Sequence, residues 1–223
     1  MSEPIKIDVW SDIACPWCYI GKRKLEAGIA AFESEPDRPP VEVEYHSFEL
    51  SPDTPVDFEG SAADFLSAHK RMPLDQVTQM LAHVTGVAAE VGLDYDFDSL
   101  HQTRTIAAHQ LLHYAKAHGR QLDMKERLLR AYFVEGRHVG RLPELADLAA
   151  EIGLDRDDAL RSLEQDEYLA DVQADLRQAG EYGISGVPFF VFDGKYGVSG
   201  AQAPETFHQV LQRVTDERAA VAS

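Results

Sequence analysis

Ile5, Ile7 and Val9 fall on one face of an alternating segment, so residues 5–10 predict a strand. The period then changes. From Tyr19 to about Phe32 the apolar positions recur at helical spacing, with Tyr19, Leu25, Ile29 and Phe32 as the expected buried stripe. Residues 33–40 are polar and proline-containing and predict a loop. Val41, Val43 and Tyr45 then alternate with Glu42, Glu44 and His46 as a second strand. The first fifty residues therefore predict β-α-β, with room for a right-handed parallel crossover.

From about Ser61 to Tyr182 the pattern is helical throughout. Helices are expected near 61–70, 74–91, 104–118, 121–135, 143–152, 156–165 and 168–182, broken at Pro73, Gly92, Gly119, Gly140, Pro143 and Gly153. A run this long is not a connecting loop and predicts an inserted helical subdomain. Strand chemistry returns at the end: Phe189 to Phe192, an Asp193-Gly194 hairpin turn, and Lys195 to Ser199. An amphipathic helix follows from Pro204 to about Thr215, with fraying expected from Arg218 onward. The division read from these patterns is residues 1–58 with 183–223 as one α/β unit, and 59–182 as the helical insertion, with helix 168–182 packing against the former.

Charge narrows the function. Lys and Arg number 21 against 38 Asp and Glu, a formal −17. Such a chain repels phosphate backbones and anionic lipid, so neither nucleic acid nor a membrane surface is an expected partner. Residues 141–182 hold twelve acidic and four basic side chains, which predicts a solvated outer face. No basic stretch with a following apolar run marks a secretory signal, Met1 argues against a removed one, and no segment of about 18 apolar residues occurs. The expected compartment is the cytoplasm. An acidic, partly apolar surface permits a homodimer without demanding one.

Two cysteines cannot form a disulfide scaffold, and two thiols in a reducing compartment point to catalysis or metal. They lie in Cys15-Pro16-Trp17-Cys18, between the first strand and the first helix. Pro16 suits the first helical position, which puts Cys15 at or beside the N-cap. The unpaired N–H groups and partial positive charge of a helix start stabilise a thiolate there. Cys18, one turn further in, is placed to resolve a mixed disulfide formed by Cys15. A zinc half-site would need further ligands, for which His109 and His113 at i, i+4 are the candidates, and no metal signature surrounds them. Two buried, inert cysteines are the remaining reading, against which an exposed helix start is expected from Pro16 and Trp17.

Gly186-Val187-Pro188 opens the third strand. Proline is tolerated at a strand's first residue, and a cis Val187-Pro188 bond is the sharper reading. Ser11 to Lys22, containing Cys15-Pro16-Trp17-Cys18, together with Gly186 to Gly194 and Ser199-Gly200-Ala201-Gln202, resembles the DsbA-like thioredoxin-fold oxidoreductases, and among them the FrnE-type branch. The resemblance implies an α/β thioredoxin-like fold with a large inserted α-helical subdomain, spanning essentially the whole chain. It implies Cys15 as nucleophile, Cys18 as resolving thiol, a cis Pro188 beside Cys15, and a substrate-positioning backbone at Val187. Trp17 stands where DsbA carries histidine; an indole cannot become cationic, so Cys15 is expected to be acidified less than in a strong oxidant.

The expected function is thiol–disulfide exchange on a protein or small-molecule disulfide, with no cofactor beyond the dithiol, and glutathione or a thioredoxin-type reductant as partner. The alternative is a glutathione-dependent isomerase or transferase resembling 2-hydroxychromene-2-carboxylate isomerases and kappa-class glutathione transferases, which carry serine where this chain has Cys15. A binding module whose helical insertion does the work is the third reading. Asp12, three residues before Cys15, is read as a loop acceptor, or else as a carboxylate acting on the thiols. Trp10 and Trp17 are candidates to flank a groove, Trp10 equally for the core; Phe189, Phe190 and Phe192 are read as buried.

Overall fold

A computed structural model describes residues 3–221 of the chain. Strand β1 (Ile5–Ser11) leads into helix α1 (Pro16–Glu33) and strand β2 (Val41–Ser47). Seven helices follow: α2 (Ala62–Lys70), α3 (Leu74–Glu90), α4 (Ile106–Ala117), α5 (Gln121–Phe133), α6 (Leu142–Glu151), α7 (Arg156–Glu164) and α8 (Leu169–Glu181). The hairpin β3 (Phe189–Phe192) and β4 (Tyr196–Ser199) precedes α9 (Pro204–Val221). The helices stop where the punctuation says they should. Ser61 and Asp64 form a capping box at α2, Asp155 caps α7, and Gly92, Gly119 and Gly153 follow helix ends at positive φ.

The sheet order is β2-β1-β3-β4, with β1 parallel to β2 and antiparallel to β3. Alternation along β1 sorts its side chains to two faces. Ile5, Ile7 and Val9, with Phe190 and Phe192 of β3, enter the main core, where Phe207 of α9 meets Phe190 with ring centroids 4.8 Å apart. Trp10 points the other way, into a small cluster with Ala179, Ile184 and Val191. It is core and flanks no groove: its indole stacks on His46 at 4.5 Å and Nε1 donates to the Asp175 carbonyl. Phe189 is half-buried, while Phe190 and Phe192 are buried.

The structure departs from the sequence pattern in three places. First, the alternation of β2 does not sort its polar residues to solvent, because His46 and Ser47 are buried under α8. His46 lies between Asp175 and Asp8, each 2.8 Å away, and the Ser47 N–H donates to Asp175. Asp175 thus leaves the solvated acidic face expected of its segment. Second, α9 does not fray at Arg218: that guanidinium pairs with Asp193 and donates to the carbonyls of Glu3 and Pro4, and the helix runs to Val221. Residues 222 and 223 lie outside the described residues. Third, Ile29 is only half-buried, and the space against α9 is taken by Gly28. A Cβ there would sit 2.7 Å from the Pro204 carbonyl and 2.9 Å from Phe207 Cβ, so glycine sets the approach of the two helices.

The helical block joins the sheet at defined points. Gln121 of α5 pairs with both backbone groups of Tyr45, accepting from its N–H at 3.0 Å and donating to its C=O at 2.8 Å. This covers the exposed edge of β2, where unpaired strand groups would otherwise invite another chain. Glu126, also on α5, accepts from Tyr19, Lys22 and Arg23 of α1. Helix α4 is enclosed by its neighbours, with nine of its twelve residues buried. Among the described residues, no helix is long and apolar enough to cross a membrane.

Candidate active site

Cys15 is the N-cap of α1, in extended conformation, and Pro16 is the first helical residue. The missing N–H of proline is harmless there, because the first-turn donors have no partner within the helix. The Cys18 N–H donates to the Cys15 carbonyl at 3.0 Å, which closes the turn and brings the two thiols together. Both cysteines are free, and both are buried, 4% exposed at Cys15 and 2% at Cys18. The helix start is therefore less open than Pro16 and Trp17 suggest. Only Trp17, 36% exposed, reaches the surface, while Pro16 is half-buried and its carbonyl accepts from the Tyr95 hydroxyl at 2.7 Å.

What Cys15 faces is a cavity of about 340 Å³. Its floor is Cys15, Pro16 and Trp17, with Gly186 and Val187 at one side. Its walls are mostly apolar, from Phe65 and Leu66 of α2, Val84 of α3, and Phe133 of α5. Cys18 does not line it. The two sulfurs are chemically equivalent in sequence and inequivalent in access. A larger depression of about 590 Å³, at Asp193, Tyr196 and Arg218, holds no cysteine.

The Val187-Pro188 bond is cis, and the Val187 carbonyl lies 3.6 Å from Cys15 Sγ. Pro188 reaches this place because α1 carries Gly21 beneath it: a Cβ there would stand 2.9 Å from Pro188 Cγ. Sequence neighbours of the dithiol and residues some 170 positions away thus meet at one helix end.

Asp12 is a buried joint. Its Oδ1 accepts from the Ile13 N–H at 2.6 Å and Thr105 Oγ1 at 2.8 Å and lies 3.2 Å from His109 Nε2; its Oδ2 accepts from the Leu50 N–H at 2.8 Å. Burial would push its pKa up, yet the bonds from His109, Leu50 and Thr105 hold the carboxyl below its ordinary range. With its oxygens occupied by these donors, it acts as a loop acceptor and a fixed negative charge.

That charge changes the expected electrostatics of the dithiol. The helix start alone would acidify Cys15. Instead its bond with Cys18, burial, and the charges of Cys18 and Asp12 push the Cys15 thiol up. Cys18 goes down: burial opposes ionisation, but the Cys15 hydrogen bond, the charge of Lys125 and the Ser11 hydroxyl outweigh it. The thiols titrate as a pair, and within it ionisation is favoured at Cys18 over Cys15.

Lys125 is the residue sequence reading missed. It lies on the buried face of α5 with Met124, Leu128 and Leu129, fully buried, with its ammonium 5.3 Å from the Tyr45 ring centre. A lysine interrupting an otherwise apolar stripe was the available signal. His109 and His113 do not converge on a metal: the first goes to Asp12, the second to Asp175 at 2.9 Å. Asp8, Glu44 and His46 have ligand-type atoms within 4.8 Å of one another, but Lys6 bridges the two carboxylates at 3.0 Å.

Comparison with known proteins finds the same fold elsewhere. A probable DsbA oxidoreductase from Streptomyces coelicolor is 38% identical and superposes with a TM-score of 0.87 over 96% of this chain and 91% of its own. The uncharacterized protein YwbO of Bacillus subtilis is 28% identical over 93% of this chain and 96% of its own. The cytosolic disulfide reductase DsbM from Pseudomonas aeruginosa, solved with GSH, shares the fold at a TM-score of 0.64 and 18% identity, over 95% of this chain and 99% of its own. The model of the DSBA-like thioredoxin domain matches residues 6–212, and the chain belongs to that family.

Proposed function

We propose that the protein is a thiol–disulfide oxidoreductase in which Cys15 attacks and Cys18 resolves. The observation that carries this is access: Cys15 opens onto the cavity and Cys18 lies behind it. A substrate disulfide in the cavity meets Cys15, whose proton passes to the Cys18 thiolate. The Cys15 thiolate then bonds to one substrate sulfur as the substrate S–S bond breaks, and the departing thiolate takes up a proton. Cys18 loses its proton, attacks Cys15 Sγ, and releases the second substrate thiol, leaving a Cys15–Cys18 disulfide. The reverse sequence oxidises a dithiol. Val187 and Pro188 flank the attacked sulfur, and Trp17 forms the rim. The substrate is a disulfide-bearing protein segment or small molecule, with glutathione or a thioredoxin-type dithiol restoring the pair. In this reading residues 1–58 and 183–223 carry the dithiol and residues 59–182 roof it.

The test is equilibration in glutathione buffers with tryptophan fluorescence as readout. A reversible two-electron transition is expected, lost in Cys15→Ser, while Cys18→Ala accumulates a mixed disulfide. No transition, with glutathione-dependent isomerase or transferase turnover surviving in Cys15→Ser, would replace this reading by the alternative.

A further inference from the structure

Lys125 is an unusual burial. Lysine is almost never fully buried unless paired, yet here the side chain is 0% exposed and, among the described residues, its Nζ has no hydrogen-bond partner. Its one close neighbour of note is a π face, the Tyr45 ring. The Gln121 amide, one turn earlier on α5, fixes Tyr45 by both backbone groups and so fixes that seat. The charges acting on Nζ come from several elements: Cys18 and Lys22 of α1, Cys15 at its N-cap, and Asp12 of the preceding loop. Asp12 is occupied by the Ile13 and Leu50 N–H groups, Thr105 and His109 of α4. Glu126, next on α5, is taken by Tyr19, Lys22 and Arg23, and Glu151 of α6 by Arg127 and Arg137. Among the negative groups acting on Nζ, Cys18 is thus the one whose ionisation is favoured in the dithiol and is lost when the disulfide forms.

We propose that Lys125 is a positioning residue that carries the charge-balancing proton of the dithiol, as an ammonium opposite the Cys18 thiolate and as a neutral amine when Cys15 and Cys18 are joined. The proposal rests on the oxidoreductase reading. The step balances with two substrate thiols as reductant. Two R–SH give one R–S–S–R, the Cys15–Cys18 bond takes the electron pair, one proton goes to Cys15 and the other to Lys125. The Lys125–Cys18 pair is then neutral in both states, beside the fixed charge of Asp12, which avoids the large cost of adding an uncompensated buried ion. Burial pulls the Lys125 pKa down to about 8 in the reduced protein, against the raising effect of Cys18, Asp12 and Cys15, which leaves its proton exchangeable near neutrality.

The experiment compares wild type with Lys125→Met and Lys125→Gln, titrating thiolate absorbance in the reduced proteins and equilibrating each with glutathione at neutral pH. Both variants should move the thiolate transition up by about one pKa unit. Both should also make the dithiol more reducing by about tenfold in equilibrium constant, or about 30 mV. Superimposable titrations overturn the proposal, as does Gln behaving like Lys, because a neutral amide keeps polarity without charge. In wild type, a nitrogen-15 titration of the Lys125 Nζ should lie about one unit higher in the reduced than in the disulfide form; equal values overturn the proposal even where a variant fails to fold. A wild-type pair with no redox equilibrium at all ends the oxidoreductase reading, whereas an intact equilibrium that ignores Lys125 ends only this one.

Discussion

The His46–Asp175 contact joins α8 to the sheet, and its pH dependence can be worked in advance. Burial alone would lower the His46 pKa, but hydrogen bonds to Asp175 and Asp8 raise it to about 9. The unfolded value is near the ordinary 6.5. A rise of about 2.5 units at 1.36 kcal/mol each corresponds to about 3 kcal/mol of stability. The folded pKa is raised, so this stabilisation is whole below about pH 6.5 and is lost as pH climbs through about 9. Lys125 has the opposite sense: its folded pKa is depressed to about 8, so it favours folding increasingly as pH rises from there toward the ordinary lysine value. The wild-type curve therefore mixes two slopes, and the difference between wild type and His46→Gln isolates the histidine. Urea unfolding of the reduced proteins at about pH 6 and about pH 10 should give a gap near 3 kcal/mol at the lower pH and nearly none at the higher. Parallel stability curves across that interval would refute the assignment of a charged His46 between its two carboxylates.

Gly28→Ala gains up to about 1 kcal/mol of helix propensity but drives a methyl into the Pro204 backbone, an overpacking cost of about 1–3 kcal/mol. A net loss of about 1–2 kcal/mol should lower the melting temperature, and a rise would mean the helices separate freely. Asp12→Ala strands the Ile13 and Leu50 N–H groups, Thr105 and His109 without their acceptor, with an expected loss of about 3 kcal/mol or more in urea unfolding. Its missing charge should also shift Cys15 alkylation to lower pH; an unchanged profile would show that the carboxylate does not act on the thiol. Val84→Phe places a ring in the cavity over Cys15. Alkylation by a bulky maleimide should slow about tenfold more than alkylation by iodoacetamide, by the scale of pocket discrimination, and equal slowing would mean that reagents reach Cys15 by another route.

The local order of elements was legible in the chain because each carries its own period and punctuation. The Cys15-Pro16 step placed the N-cap, since proline at the first helical position needs no partner for its absent N–H. Glycines and prolines bounded the helices of the insertion to within a few residues. These signals act over a few residues, where propensity, capping and alternation decide the backbone. They also singled out the pair proposed to react, because thiol chemistry is written in the two cysteines themselves.

What the chain alone could not decide is which charges end up in the core and which sulfur opens onto the cavity. Asp175 and Lys125 fall at buried positions of their helices, beside Val172 and Ala179 and beside Met124 and Leu128, yet their charged side chains read as surface residues. Packing α8 on β2 and α5 beneath α1 encloses them, because an acceptor for His46 and a cation near Cys18 exist only where distant elements meet. The pKa of a thiol is a sum over every nearby charge and over burial, so a helix start could predict a push on Cys15 but not the opposing push from Asp12 and Cys18. Access is likewise a property of the roof that α2 and α3 build over Cys15. Sequence determined the elements and supplied the cysteine pair; tertiary structure, through burial and long-range Coulomb fields, decided which ionisations are favoured and which side chains are exposed.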